Sequence, residues 1–207
     1  MAIKGKHKSI DISFTDFIDF VNKSGGSKLT KVRQVKNREE YNPATDFYKA
    51  LREGIIYIHK KNHSKKELTG ILTGLTDTKK IKNYPEAIKG YKKFWGNKKF
   101  TWFTPPSKHW KIGDIDININ PELGLEYDDK FLVIKLYFKA DRITKDKVNQ
   151  ILSLLEHQLR KKVEPEIIFC VLDVKAGKLF QNIAKDSSFI PLLEGEAVCF
   201  ETIWKAI

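Results

Sequence analysis

The sequence is poor in residue types that commonly mark a functional class. It has two cysteines and one methionine among 207 residues. Cys170 and Cys199 each lie in an apolar run, where a free thiol behaves as a small hydrophobic group, so we expect both to be reduced and structural. The first residues lack an apolar signal segment, and no run approaches the roughly 18 apolar residues needed to cross a bilayer. These features predict a cytoplasmic protein without a membrane partner.

Motifs for nucleotides, metals and covalent catalysis are also missing. The glycines near residues 25 and 70 match neither the P-loop nor the dinucleotide pattern, and no serine or cysteine lies in a nucleophile elbow. His59 and His63 are four residues apart, but we expect a helix to end between them, and no third ligand is near in sequence. We therefore expect no cofactor and no metal site of this kind.

An uneven distribution of charge is the most informative feature that is present. Residues 1–111 hold 25 Lys and Arg against 10 Asp and Glu, whereas residues 112–207 hold 13 against 16. A basic half favours an anionic partner such as nucleic acid. Of the 38 basic residues 33 are lysines, so arginine, the side chain best suited to bidentate phosphate contacts, is scarce.

Lysines alternate with aromatic residues over residues 79–111. This segment has ten lysines, eight aromatic residues and a single acid, Glu86. Lysines neutralise phosphates, and exposed rings stack on unpaired bases. The alternative is that the rings form a buried helix face and a short strand, with the lysines on the solvent side. The nucleic-acid interpretation predicts phosphate contacts by Lys92, Lys93, Lys98 and Lys99 and stacking by Trp95 and Trp102.

Apolar spacing predicts a mostly helical first half. Ser13 is expected to cap a helix that stops at a loop, KSGGSK, and Pro43 to open a second helix that runs to about residue 60. Ser64 is expected to cap a shorter helix, and Pro85 to start another.

Beyond residue 105 the apolar period changes to that of strands. The expected strands cover residues 112–119, 123–127, 131–138, 166–174 and 178–181, with helices from Thr144 to about 160 and from Pro191 to 207. The chain is therefore predicted to be α+β, with a helical N-terminal part and a mainly antiparallel or mixed sheet of order β-β-β-α-β-β-α. We expect one domain over residues 1–207, with a helical basic subregion 1–105 and a sheet-containing core 106–207. The last helix is expected on the sheet face opposite the long one.

A group of acids precedes an unusual strand lysine. Asp114 and Asp116 share one face of the first predicted strand, and Lys135 lies in the otherwise apolar strand FLVIKLYF. Further acids cluster in the turns that follow the first strand, and such oxygen ligands suit Mg²⁺: Glu122, Glu126, Asp128 and Asp129. With the order helix, three strands, helix and strand over about residues 84–174, this arrangement resembles the PD-(D/E)XK nuclease superfamily. The resemblance implies that carboxylates bind Mg²⁺ and that Lys135 helps to position the attacking water. The residue two before Lys135 is Val133 instead of an acid, so Asp116 or Glu126 would have to replace the missing carboxylate.

Three functions from different classes stay open. The favoured one is non-catalytic binding of an anionic polymer, above all nucleic acid, through the surface rich in lysine and aromatic residues, with no cofactor. The first alternative is a Mg²⁺-dependent nuclease that uses Asp114, Asp116 and Lys135 as catalytic residues. The second is a module that binds an acidic protein through a flat apolar patch surrounded by lysines.

Overall fold

The structure is a computed structural model that describes residues 9–38, 46–139 and 141–207. The α-helices are α1 (Phe14–Val21), α2 (Gly26–Lys36), α3 (Lys49–Lys60), α4 (Thr78–Trp95), α5 (Lys145–Leu159) and α6 (Ile190–Ala206). The strands are β1 (Ile10–Ser13), β2 (Thr101–Phe103), β3 (Lys108–Ile112), β4 (Ile115–Ile119), β5 (Leu123–Tyr127), β6 (Lys130–Tyr137), β7 (Ile168–Asp173) and β8 (Lys178–Gln181). Two 3-10 helices cover Lys65–Leu72 and Arg160–Lys162. This combination of helices with mixed sheets confirms the predicted α+β class.

The first helix begins where the sequence predicts it. The Ser13 hydroxyl oxygen accepts a hydrogen bond from the Asp16 amide at 3.1 Å, which satisfies one of the free N–H groups of the first turn. The predicted loop is shorter than expected, because α2 already begins at Gly26. This helix buries only Lys31 and Val32, so it lacks the apolar period that would have revealed it.

Pro85 lies inside α4 instead of at its start. The helix begins after Asp77, whose carboxylate accepts hydrogen bonds from the amides of Lys79 and Lys80 at 2.8 and 3.1 Å. This cap specifies an earlier start than the proline does. The helix expected after Ser64 is the 3-10 helix Lys65–Leu72. The start predicted at residue 43 lies outside the described residues, but residues 46–48 are described and are not helical, so α3 begins only at Lys49.

A hairpin replaces the single strand predicted over residues 112–119. β3 and β4 pair antiparallel and are joined at Gly113, whose φ of 56° is a conformation that glycine adopts without strain. β1 pairs in parallel with β4 and completes a three-stranded sheet of order β1-β4-β3. β1 was not predicted, since it has only four residues and runs directly into the cap of α1.

The larger sheet has five strands in the order β2-β5-β6-β7-β8. β6 pairs antiparallel with β5 and in parallel with β7, and all the other pairs of this sheet are antiparallel. Parallel neighbours need a crossover connection, and α5 provides it between β6 and β7. β6 is buried on both faces over most of its length, in agreement with its continuous apolar sequence.

Two hydrophobic cores cover the two faces of the five-stranded sheet. One core contains side chains of α3 and α4, among them Leu51 and Tyr91, which are fully buried. The other contains α1, α5, α6 and the three-stranded sheet. α6 therefore shares a core with α5, and its predicted position on the opposite sheet face is wrong. That face is already covered by α3 and α4.

Strands from the two predicted subregions pair with each other. β1 and β2 lie within residues 1–105, yet they pair with β4 and β5 of the second subregion. The single-domain organisation stays a prediction. Within the described ranges, the structure has no helix that is both long and apolar enough to cross a membrane.

Candidate functional site

A broad groove lies at the carboxyl ends of the parallel strands β6 and β7. Its walls are the segment after β6, the start of α5 and the turn between β7 and β8, and its volume is about 1130 Å³. In open sheets with parallel strands, ligands bind at this edge. We call this site the basic groove. Its five basic residues are Lys139, Arg142, Lys145, Lys175 and Lys178.

Three acids also line the basic groove, and two of them have partners within it. The Glu86 carboxylate lies 3.3 Å from the Lys175 ammonium. Asp173 is buried, and its carboxylate accepts a hydrogen bond from the Ala176 amide at 3.1 Å, which shapes the turn. The third acid is Asp141. The groove therefore carries an excess of positive charge.

The N-terminus of α5 adds to this positive charge. Thr144 caps the helix, and its hydroxyl oxygen accepts a hydrogen bond from the Lys147 amide at 3.2 Å. The other amides of the first turn carry partial positive charge because they have no acceptor within the helix. Arg142 and Lys145 are exposed on either side of the cap. A helix terminus and two exposed cations thus face the same groove.

One of the four predicted phosphate-binding lysines borders the basic groove. The Lys93 ammonium donates to the Ala176 carbonyl oxygen at 3.4 Å. Around it, α4 touches the turn between β7 and β8, since a Cβ atom added at Gly90 would lie 2.2 Å from the carbonyl oxygens of Val174 and Lys175. The C-terminal part of α4 therefore extends the basic surface beyond the groove.

The other three predicted lysines have separate surroundings. The Lys92 ammonium donates to the Thr69 hydroxyl at 2.7 Å. The Lys98 ammonium donates to the Phe94 carbonyl oxygen at 2.6 Å. Lys99 is exposed. These residues add charge to the surface, but the structure does not gather them into one cluster.

Trp95 is not available as a stacking platform. Its side chain lies on the buried face of α4 and is only 8% exposed. The ring stacks on His59 with centroids 4.2 Å apart, and its Nε1 donates to the Lys98 carbonyl oxygen at 3.0 Å. Trp102 is half-buried against the same core. The alternative that the aromatic residues form a buried face is thus correct for Trp95.

Asp114 and Asp116 lie in the three-stranded sheet and its hairpin turn. The Asp116 carboxylate lies 2.7 Å from His109 Nδ1, and the Asp114 carboxylate lies 2.7 Å from the Lys205 ammonium. Neither aspartate lines the pocket that contains Lys135. The structure therefore does not bring the three predicted catalytic residues together.

Lys135 pairs with Glu122, an acid of the predicted group that the sequence did not single out as its partner. Its ammonium donates to Glu122 Oε1 at 2.6 Å and to the Asn120 carbonyl oxygen at 3.2 Å. The other Glu122 oxygen accepts a hydrogen bond from the Leu136 amide at 2.8 Å. The pairing of β5 with β6 explains this contact, since it places the start of β5 beside Lys135. Val133 is fully buried in the apolar core.

The nuclease resemblance implies a Mg²⁺ site beside Lys135. Glu122 is the carboxylate next to Lys135, and both of its oxygens already accept hydrogen bonds. In the three described ranges, no group of three or more His, Cys, Asp or Glu side chains is placed to hold a metal ion. These donors do not fit a Mg²⁺ site, which needs several oxygen ligands at short distance.

Two exposed apolar side chains on α6 have charged neighbours of both signs. Leu192 and Val198 are 50% and 52% exposed, respectively. Glu194 and Glu196 lie between them in the sequence, and Lys28 of α2 forms an ion pair with Glu196. Binding of an acidic protein through an apolar patch surrounded by lysines stays a prediction.

The basic groove was missed because its cations come from the half of the chain with net negative charge. Residues 139–145 and 175–178 are far apart in sequence and meet only when β6 and β7 pair in parallel. A weak signal was present, since Arg142 and Lys145 flank a predicted helix cap. In comparisons with known proteins, no family model matches the chain and no curated protein matches it.

Proposed function

We propose that the protein binds nucleic acid without catalysis and that the basic groove receives backbone phosphates. The observation that carries the proposal is that five basic side chains and the N-terminus of α5 line one groove, where Arg142 and Lys145 are exposed. Lysine, arginine and helix N-termini are the groups that commonly contact phosphates. The proposal keeps the anionic partner that the charge distribution predicts and moves its main contacts from the aromatic segment to the groove.

The dimensions of the surface favour a polymer over a single small anion. The basic groove has a volume of about 1130 Å³, whereas pockets for small molecules hold roughly 300–1,000 Å³. Lys89 and Lys93 of α4 are exposed and continue the positive surface past the turn between β7 and β8. A nucleic-acid strand bound along this path would have several successive phosphates close to these cations.

The test is fluorescence anisotropy with labelled single-stranded and duplex DNA and RNA over a series of salt concentrations, with EDTA present. The variant Arg142→Ala/Lys145→Ala removes two exposed cations of the groove without disturbing the core. For duplex DNA, we expect weaker binding and a salt dependence whose slope falls by about 0.9 per lost phosphate contact, about 2 for the pair.

The matched control is Lys161→Ala/Lys162→Ala, which removes two exposed cations outside the groove. Both lysines follow the other end of α5, more than about 20 Å from its start at 1.5 Å per residue. We expect this control to change the slope little. Equal slopes for the groove variant and the unmodified protein would contradict the proposed site. Absence of saturable binding at physiological salt would contradict nucleic-acid binding itself and would favour an acidic protein partner.

The Mg²⁺-dependent nuclease is the second candidate, and the topology is the observation in its favour. In the five-stranded sheet, β2, β5 and β6 come between α4 and α5, and β7 follows α5, as in the order helix, three strands, helix and strand of the PD-(D/E)XK resemblance. The first strand predicted for that order, over residues 112–119, is instead part of the three-stranded sheet, so β3 and β4 interrupt the order along the chain. Two side chains argue against a nuclease. Val133 occupies the position expected for an acid, and Glu122 forms an ion pair with Lys135. We therefore propose a nuclease-like core that binds without cutting.

Repeating the incubations with Mg²⁺ in place of EDTA distinguishes the two candidates. The non-catalytic proposal expects intact labelled strands on a denaturing gel after prolonged incubation. Divalent-dependent cleavage that Asp116→Ala or Lys135→Ala abolishes would instead establish the nuclease. Cleavage that both variants retain would identify a contaminating activity.

A further inference from the structure

A second, smaller pocket lies at the end of β6, where elements from both faces of the five-stranded sheet meet. It is bounded by α1, α5, the end of β6 and the segment before α3, and its volume is about 150 Å³. Its apolar walls include Phe14, Ile18, Phe138 and Ile151. We call it the Tyr137 pocket, after the polar side chain that distinguishes it. It borders the basic groove through the shared residue Lys139.

The charged side chains around the Tyr137 pocket are matched by opposite charges. Lys135 pairs with Glu122 at 2.6 Å, and Arg52 pairs with Asp46 at 2.7 Å. Lys139 forms an ion pair with Asp19. A charged ligand would have to separate one of these pairs, and a buried charge left without its partner is strongly unfavourable. The pocket therefore suits an uncharged molecule.

Tyr137 contributes a hydroxyl that lacks a partner. The residue is 8% exposed, and among the described residues its hydroxyl is the buried side-chain polar group without a hydrogen bond. Burial, together with the nearby carboxylates of Asp141, Asp19 and Asp173, raises the pKa of Tyr137 to about 12. The hydroxyl thus keeps its proton and has both donor and acceptor capacity to offer.

Buried polar groups are nearly always satisfied, so an unpaired hydroxyl beside a pocket requires a partner. The charged side chains that line this pocket are held in ion pairs, whereas the Tyr137 hydroxyl can bind a ligand atom without separating a pair. A space of about 150 Å³ accommodates a molecule of the size of benzene.

We propose that the Tyr137 pocket binds a small, uncharged, ring-sized molecule whose single oxygen or nitrogen atom forms a hydrogen bond with the Tyr137 hydroxyl. Apolar contacts with Phe14, Ile18 and Ile151 hold the ring. This site shares Lys139 with the basic groove, but the contacts proposed for the ring and its polar atom involve other residues and do not depend on nucleic-acid binding.

The experiment is protein-observed NMR titration with three probes of equal ring size: phenol, toluene and benzoate. We expect saturable shifts for phenol that map to α1, α5 and the end of β6. Tyr137→Phe removes the hydroxyl and no apolar contact, so it should weaken phenol by about 3- to 10-fold and leave toluene unchanged, as the loss of one hydrogen bond implies. Benzoate should bind at least tenfold more weakly than phenol.

Two further variants secure the assignment. Tyr57→Phe changes an exposed tyrosine, 54% exposed on α3, and should leave all three titrations unchanged. Ile151→Phe fills the pocket and should abolish the binding of phenol and toluene while the protein remains folded by thermal melting. Absence of saturable shifts for both neutral probes, equal phenol affinity in Tyr137→Phe, or benzoate binding as tight as phenol would each overturn the proposal.

Discussion

Protonation of one buried histidine should make the stability of this protein depend on pH. His59 is 4% exposed, its Nε2 shares a hydrogen bond of 2.7 Å with the Tyr91 hydroxyl, and its ring stacks on Trp95. Burial lowers the pKa of His59 from 6.5 to about 4. The folded protein therefore resists protonation that the unfolded chain accepts.

The sign and size of the effect follow from proton linkage. Between pH 6.5 and pH 4 the unfolded chain binds more protons at His59 than the folded protein, so stability falls as the pH is lowered. With 1.36 kcal/mol per pKa unit, the full contribution is about 3 kcal/mol, and lowering the pH from 7 to 5 removes about 2 kcal/mol of it. For a chain of this length, that corresponds to a fall in melting temperature of about 4 to 8 °C.

Urea unfolding at pH 7 and pH 5 measures the effect, and His59→Phe isolates it. The variant should be less stable at pH 7, because it leaves the buried Tyr91 hydroxyl without its partner, at a cost of about 1–3 kcal/mol. It should also lose about 2 kcal/mol less than the unmodified protein between the two pH values. His157→Gln, at an exposed histidine of α5, is the control. If His59→Phe shows the full pH dependence, another group is responsible and the reasoning is refuted.

Two other substitutions test contacts that organise the fold. Gly90→Ala places a Cβ atom 2.2 Å from the carbonyl oxygens of Val174 and Lys175, so it should lower the free energy of unfolding by about 1–3 kcal/mol. Gly70→Ala is the control, because no atom lies within 4 Å of the added Cβ atom, and it should not lower stability in this way. Equal stabilities of the two variants in urea unfolding would contradict the close approach of α4 to the turn. Lys135→Met leaves Glu122 partly buried without its cation and should cost about 3–5 kcal/mol, most of which Glu122→Gln/Lys135→Met should restore. If the loss of stability in the double variant equals the sum of the losses in Lys135→Met and Glu122→Gln, the two side chains do not interact.

Elements with strong local signals were predictable from the sequence. α1 has a capping serine followed by an apolar period, and α5 has a capping threonine followed by an amphipathic pattern, so both begin where predicted. α2 and β1 were missed, since one has little apolar periodicity and the other is only four residues long. Proline often occupies the first turn of a helix, but Pro85 lies inside α4, because the side-chain cap at Asp77 fixes an earlier start.

The candidate sites were less predictable, because they depend on contacts between distant segments. The lysines near residues 92–99 were visible as a run, but burial of Trp95 against His59 is a property of the packed core. The five cations of the basic groove meet only through the parallel pairing of β6 with β7. The partner of Lys135 was likewise hidden among several acids until the register of β5 on β6 selected Glu122.

The interleaving of strands has a practical consequence for mapping where a partner binds. β1, β2 and nearly all of β3 belong to the basic residues 1–111, yet they complete sheets with β4 and β5. A fragment cut at this charge boundary would leave β4 without either neighbour and expose the edge of β5, which invites aggregation. The basic fragment, unfolded, would still adhere to any polyanion through its lysines. Binding measured on truncated chains would therefore reflect nonspecific attraction to unfolded fragments. Point substitutions in the intact chain are needed to locate an interface.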